Sequence, residues 1–412
     1  MTSVSNGLTG LVRARRSIAV SGFAVAAAIA AFATQPAAAL GMRLTQPSPE
    51  SATLVLPVAV FGRDDRVSLP PRYAGLEDRM GLLFNNHSQT VCTAFCVAPS
   101  VIATAAHCIF RTKGETPPKI EAFWFARNYE TQRDFARIAG YATGSAPQNV
   151  LSGTTKLRVR PPIDAASDWA LVRLARAVCR KGVFPIRPMK SDEVQKESAS
   201  GRIFQISYHR DFANWRVAYS RPCTVARDYK NAGWDTIKPD FAHPENLLLH
   251  TCDTGGASSG SPLLIDLPGG PEVVGINVGT YVQSRVVMQN GQVTHRYKAD
   301  TIANTGVTVL ALSERLAAMR RATILASGRP MQELQVGLRA LGHYTGPIDG
   351  TYGRGTRAAI EAFEQALGLR RTGIASEQVL RALIMRRGRH KPTSRATTDL
   401  PRLPRSPPPR QR

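Results

Sequence analysis

Three short segments bring together residue types that can make a weak nucleophile react. They are Thr104-Ala105-Ala106-His107-Cys108, Asp168-Trp169-Ala170-Leu171-Val172-Arg173-Leu174 and Thr254-Gly255-Gly256-Ala257-Ser258-Ser259-Gly260-Ser261-Pro262. A serine hydroxyl attacks poorly at neutral pH and needs an imidazole within hydrogen-bonding reach to take its proton. The imidazole needs a carboxylate that fixes its tautomer and stabilises the imidazolium. The nucleophile must also sit on a tight turn whose backbone N–H groups meet the charge developing on the attacked oxygen. The glycine-rich run around Ser259 offers that turn. Asp168 is preferred to Asp164 as the orienting carboxylate because apolar residues follow it, and Ser259 rather than Ser258 precedes Gly-Ser-Pro. The remaining histidines show no metal-ligand spacing such as H-E-x-x-H, so neither a metal nor a cofactor is expected.

Distant segments of this kind converge only on a large scaffold, and 412 residues exceed what one ordinary core holds. From about Leu56 to Val309, short β-branched stretches alternate with turn residues, among them Val97–Ile102, Ala170–Leu174, Gly201–Tyr208, Pro262–Ile265, Val273–Val278 and Val307–Leu310. This is the pattern of an all-β sandwich or barrel. Leu312, Leu316 and Met319 behind Ser313, a good N-cap residue, indicate one closing helix. The period then changes: Leu334, Leu338 and Leu341, then Ile360, Phe363 and Leu367, then Val379, Leu380 and Leu383 mark three short helices around one small core. The expected boundaries are 1–39, 40–55, 56–328, 329–386 and 387–412, the last a disordered basic, proline-rich tail.

Residues 1–39 have the form of a secretory signal: Arg13, Arg15 and Arg16, an apolar run from Ile18 to Phe32, then Ala37-Ala38-Ala39. The run falls short of the ~20 residues a spanning helix needs, so no transmembrane segment is expected in the mature chain. Residues 40–55 form a lead-in or propeptide. Six cysteines fit an exported protein with three disulfides. The net charge of +23, of which +8 lies in residues 386–412, favours anionic surfaces. Nucleic acid is excluded by the exported compartment and by the lack of any recognition motif.

The three reactive segments, in the order His, Asp, Ser, make residues 56–326 resemble a chymotrypsin-fold, trypsin-like serine protease, in the style of the bacterial glutamyl-endopeptidase or V8-like branch. Phe61-Gly62-Arg63-Asp64-Asp65-Arg66-Val67 resembles that branch's opening. The resemblance implies an all-β double barrel with His107 as general base and then acid, Asp168 as its orienter and Ser259 as nucleophile. It places the oxyanion hole at the backbone N–H groups of Ala257 and Ser259, and a bridge from Cys92 to Cys108 around the histidine loop. Cys223 with Cys252 and Cys96 with Cys179 are the pairings suggested for the other cysteines. Departures are also present. Ser258 stands where trypsins carry the aspartate that pairs with a newly cut N-terminus, so that mode of activation is not expected. Ala257 stands where the family usually has glycine, and a Cβ there costs ~1–2 kcal/mol if φ is positive. Asp253, with Thr254, lies where a basic P1 side chain would be bound, although it serves equally well as a turn cap. Asn277 takes the place of the histidine expected of a Glu-binding pocket.

Residues 331–386, with Leu341-Gly342-His343-Tyr344-Thr345-Gly346-Pro347-Ile348-Asp349-Gly350-Thr351-Tyr352-Gly353, resemble a peptidoglycan-binding type 1 module. The likeness implies wall polymer as a partner and Tyr344, Asp349, Tyr352 and Arg357 as candidate contacts. The expectation is therefore a periplasmic or secreted, wall-associated serine endopeptidase acting on proteins or peptides. The alternative is a weak or inactive protease-fold scaffold that binds the wall.

Overall fold

Short β-branched stretches that cannot bury a face alone do so here by pairing into two antiparallel sheets. The computed structural model describes residues 59–110, 119–230, 232–283, 286–289, 292–296 and 300–389. The expected signal, the lead-in and nearly all of the basic tail lie outside these residues. Strand β1 (Val67–Ser68) belongs to the second sheet. The first sheet is built from β2 (Met80–Asn85), β3 (Thr90–Ala98), β4 (Val101–Thr104), β5 (Phe123–Arg127), β6 (Asp134–Arg137), β7 (Val150–Ser152) and β8 (Ala170–Arg173), in the order β6-β5-β2-β3-β4-β8-β7. A bridge between Ile138 and Leu174 joins the ends of β6 and β8.

The second sheet adds β9 (Ile203–Tyr208), β10 (Val217–Ser220), β11 (Leu247–His250), β12 (Pro262–Ile265), β13 (Glu272–Gln283) and β16 (Asp300–Thr308), in the order β1-β10-β9-β12-β13-β16-β11. An isolated bridge pairs Val225 with His250 of β11, and β14 (Val286–Gln289) with β15 (Gln292–Arg296) forms a separate hairpin. The architecture is a chymotrypsin-like double barrel followed by a helical region. Buried Leu82, Phe95, Ile102, Phe125 and Leu171 fill the first barrel, and Phe204, Ile206, Leu263, Val274 and Ile276 the second.

Helices α1 (His107–Phe110), α2 (Ser191–Ala199) and α3 (Trp234–Ile237) are short insertions between strands. The closing helix α4 (Leu310–Arg321) buries Leu312, Leu316 and Met319, as their spacing requires, but it starts earlier than expected. Its N-cap is Val309, and Ser313 lies inside the helix with its hydroxyl donating to the Leu310 carbonyl. Helices α5 (Arg329–Ala340), α6 (Arg354–Ala366) and α7 (Glu377–Arg389) enclose Met331, Leu334, Leu338, Ile360, Phe363 and Leu383. Pro330 sits in the first turn of α5, where its missing N–H has no intrahelical partner to lose. Among the described residues no helix is long and apolar enough to cross a membrane.

Candidate active site

Strand register brings the first two reactive groups together. Thr104 at the end of β4 faces Ala170 at the start of β8. His107 follows Thr104 by three residues through a tight turn, and Asp168 precedes Ala170 by two, so both emerge at the same end of the barrel. The Asp168 carboxylate is 1% exposed and bonds to His107 twice. Oδ1 accepts the His107 backbone N–H at 2.8 Å, and Oδ2 lies 2.7 Å from Nδ1. The backbone bond fixes where the loop sits, and the ring bond fixes which way the imidazole faces. Nε2 is left without a nitrogen or oxygen partner among the described residues, and the side chain is still 18% exposed. Asp164, the competing carboxylate, is ion-paired with Arg158 on the surface, and that bond holds it below the usual carboxylate range.

The serine turn is pinned from both barrels. The Thr93 backbone N–H on β3 donates to the Ala257 and Ser259 carbonyls at 2.8 and 3.0 Å, and the Thr93 hydroxyl adds a bond of 2.9 Å to Ala257. Gly260 then has φ +85°, and a Cβ there would stand 2.1 Å from Thr104 Oγ1 and 2.3 Å from the Thr93 carbonyl. Only glycine lets the serine turn lie this close to β3 and to the end of β4, which leads into His107. Cys108 Sγ lies 3.8 Å from His107 Nε2 and 3.9 Å from the Ser259 carbonyl oxygen, which sets the two segments at one corner. Among the described residues Ser259 Oγ makes no hydrogen bond within the protein, and resting sites often tighten that bond only around substrate.

The backbone N–H groups of Ala257 and Ser259 find no protein acceptor among the described residues. The Gly256 carbonyl accepts the Arg210 N–H at 2.7 Å, and the Ser258 carbonyl accepts from Ser261 N–H and from Asn277 Nδ2, each at 3.1 Å. A peptide unit is planar and trans, so pinning each carbonyl turns the following N–H, of Ala257 and of Ser259, the opposite way. Ala257 itself has φ +79°, the left-handed region where a Cβ is unfavourable by about 1–2 kcal/mol.

The specificity candidates sit deeper. Asp253 is 3% exposed, and its two oxygens accept the backbone N–H groups of Phe61 and Asp65 at 2.8 and 3.0 Å. Both oxygens are thus engaged by the incoming chain, and the carboxylate is buried beneath it. It acts as a cap, but on a segment 192 positions away rather than on its local turn. Thr254 bridges Ala59 through backbone bonds and donates its hydroxyl to Asn304. Asn277 Oδ1 lies 3.2 Å from Nε2 of buried His250, whose pKa burial pushes down to about 4. A cavity of about 220 Å³ opens beside His107, lined by Ala106, Phe110, Thr154, Lys156, Leu157 and Val159. The three disulfides join Cys92 to Cys108, Cys96 to Cys179 and Cys223 to Cys252.

In the helical region, Tyr344 and Asp349 line a cavity of about 520 Å³ together with His343, Thr351 and Thr356. The Asp349 carboxyl is held below its usual range by Gln335 and by Thr351. Tyr352 lies away from that cavity, with its hydroxyl donating to the Gly373 carbonyl. Arg357 turns the other way, toward the first barrel. Thr93, Arg210 and Gln335 are the residues that sequence reasoning missed. Arg210 acts through its backbone N–H, Thr93 through its N–H and hydroxyl, and Gln335 through its side-chain amide, and no motif marks such residues.

Comparison with known proteins bears on both regions. Residues 92–276 match the family of trypsin-like peptidase domains, and residues 327–383 match the family of peptidoglycan binding domains. A solved structure of a Glu endopeptidase in complex with MPD is similar to this chain at 15% identity, with a TM-score of 0.41 over 64% of this chain and 100% of that one. Among curated proteins none matches the chain.

Proposed function

We propose, from a chain that joins a trypsin-like peptidase domain to a peptidoglycan-binding domain, that this protein is an exported serine endopeptidase held at the cell wall. The observation that carries the reading is the doubly bonded His107–Asp168 pair beside a serine turn in which the Ala257 and Ser259 N–H groups are unused. His107 Nε2 takes the proton of Ser259 as the hydroxyl oxygen attacks the scissile carbonyl. The N–H groups of Ala257 and Ser259 receive the oxyanion. Collapse expels the amine, which takes its proton from His107, and leaves an acyl-enzyme. Water, activated by the same imidazole, releases the acid and restores the serine.

Proteins or peptides of L-residues are the substrate class. A cleft of this fold binds an extended strand by main-chain pairing, and the D-residues of wall cross-links would misplace the scissile carbonyl. The wall module is accordingly an address, which raises the local concentration of enzyme at its targets. Three disulfides support an oxidising compartment outside the cytoplasm. The engaged oxygens of Asp253 argue against a basic P1 side chain bound there. Mature protein should sediment with purified wall sacculi and cleave denatured casein, whereas chain truncated before residue 329 should stay in the supernatant. Equal sedimentation of both would remove the address, and absence of cleavage by the full chain would remove the enzyme.

A further inference from the structure

The wall module is not joined to the barrels by a free linker. Ile324 and Ser376 form an antiparallel bridge, and the Leu325 N–H donates to the Ala375 carbonyl at 2.9 Å. Gln148 donates to the Leu325 carbonyl and to the Ser327 hydroxyl, and Glu314 of α4 pairs with Arg370. A tether that only raises local concentration needs none of these bonds.

Arg357 makes the contact with the clearest consequence. On α6 its Nε pairs with Glu361 at 3.1 Å, which aims the guanidinium out of the module. Its Nη2 donates to the Ser152 carbonyl at 2.7 Å, and Nη1 lies 3.5 Å from the Ser152 hydroxyl. Ser152 is fully buried at the end of β7, paired with Ala170, two residues after Asp168. The next residue, Gly153, donates its N–H to the Trp169 carbonyl at 3.0 Å, and Thr154 to Leu157 then form one wall of the cavity beside His107. Gly153 is tightly enclosed: a Cβ would stand 2.3 Å from the Ser167 carbonyl oxygen. The base of this wall is therefore packed against the segment that carries Asp168, while residues 154–157 extend beyond it toward the cavity. Arg315 of α4 lies over the Trp169 ring at 5.5 Å, so the back of this segment is covered from the same side.

We infer that Arg357 is a positioning residue of the peptidase: through Ser152 it fixes the 153–157 wall of the substrate cavity beside His107, so the wall-binding module is part of the substrate site as well as an anchor. The inference rests on the peptidase reading above. Neither bond from Asp168 to His107 runs through Arg357, so substrate binding should suffer before the chemical step. The guanidinium is a charged donor to a buried carbonyl, and such bonds are the strong ones.

The test uses full-length mature protein and two substrates: p-nitrophenyl acetate, which needs only the nucleophile, and a fluorogenic peptide, chosen by library profiling, that extends to both sides of the bond cut. Arg357→Ala should raise KM for the peptide about tenfold, as expected for a lost charge-assisted bond, and leave acetate turnover within about twofold. Arg357→Lys, which keeps one charged donor, should recover part of the peptide KM. Glu361→Gln, which loosens the aim of Arg357, should raise it by a smaller factor, and it reads the same quantity if Arg357→Ala does not fold. Unchanged peptide KM in these variants would overturn the inference while leaving the peptidase intact. So would a parallel loss on both substrates that follows a fall in melting temperature. Failure of wild type on both substrates would instead overturn the peptidase reading itself.

Discussion

Replacing Ala257 with glycine should make this protein more stable, although glycine usually weakens a fold. Ala257 has φ +79°, and its carbonyl is held there by two bonds from Thr93. An L-residue with a Cβ in that region is disfavoured by about 1–2 kcal/mol, and glycine is not. Against this, glycine adds freedom to the unfolded chain, worth about 0.4–1 kcal/mol. The balance is a gain of about 0.5–1 kcal/mol, or about 2 °C in melting temperature for a domain of this size. Thermal unfolding of wild type, Ala257→Gly and Ala257→Val side by side measures it. The valine variant should fall by more than 1 kcal/mol, because a β-branched side chain is a stronger outlier at positive φ. If Ala257→Gly melts lower than wild type, the turn does not hold the conformation described. The opposed arrangement of its carbonyls and free N–H groups would then fail with it.

Stability should fall as pH drops through the range set by buried His250. The unfolded imidazole takes a proton near pH 6.5, while burial pushes the folded one down to about 4. Between these values only the unfolded chain gains the proton, so stability is lost from about pH 6.5 downward and levels off below about 4. The loss at pH 5 relative to pH 8 is about 2 kcal/mol from this group. Buried His209, lowered by burial and by Arg66, acts in the same direction. Urea titrations at the two pH values check this, and His250→Gln should reduce the difference. Asp253→Ala should destabilise the fold by about 3 kcal/mol, because two backbone donors lose a charged acceptor. A changed P1 preference in a peptide library, with no change in melting temperature, would return Asp253 to the substrate pocket.

The double barrel was readable because its strands are short, β-branched and regularly punctuated, and because three chemically specific segments occur in a fixed order. Ala170–Leu174, Gly201–Tyr208 and Pro262–Ile265 became strands with only end adjustments. Val97–Ile102 instead contains the turn between β3 and β4, since an apolar run does not mark where it reverses. Ser313 misled for a related reason: a serine caps a helix only where its own backbone is non-helical, and here the helical conformation begins three residues earlier. Roles set by long-range contact were harder to read. Asp253 occupies a position that fits either a pocket base or a cap, and what decides is the approach of Phe61 and Asp65 from the far end of the chain. Arg357 reads equally well as a wall contact or a barrel contact until Ser152 is seen beside it.

Brief incubation of folded mature protein with a fluorophosphonate, followed by mass analysis of the peptide containing Ser259, bears most directly on whether His107, Asp168 and this turn make a working nucleophile. A single adduct on Ser259 is expected in wild type, with none in Ser259→Ala and strongly slowed labelling in His107→Ala. An unmodified Ser259 in protein shown to be folded would contradict it and leave the barrels as a wall-binding scaffold.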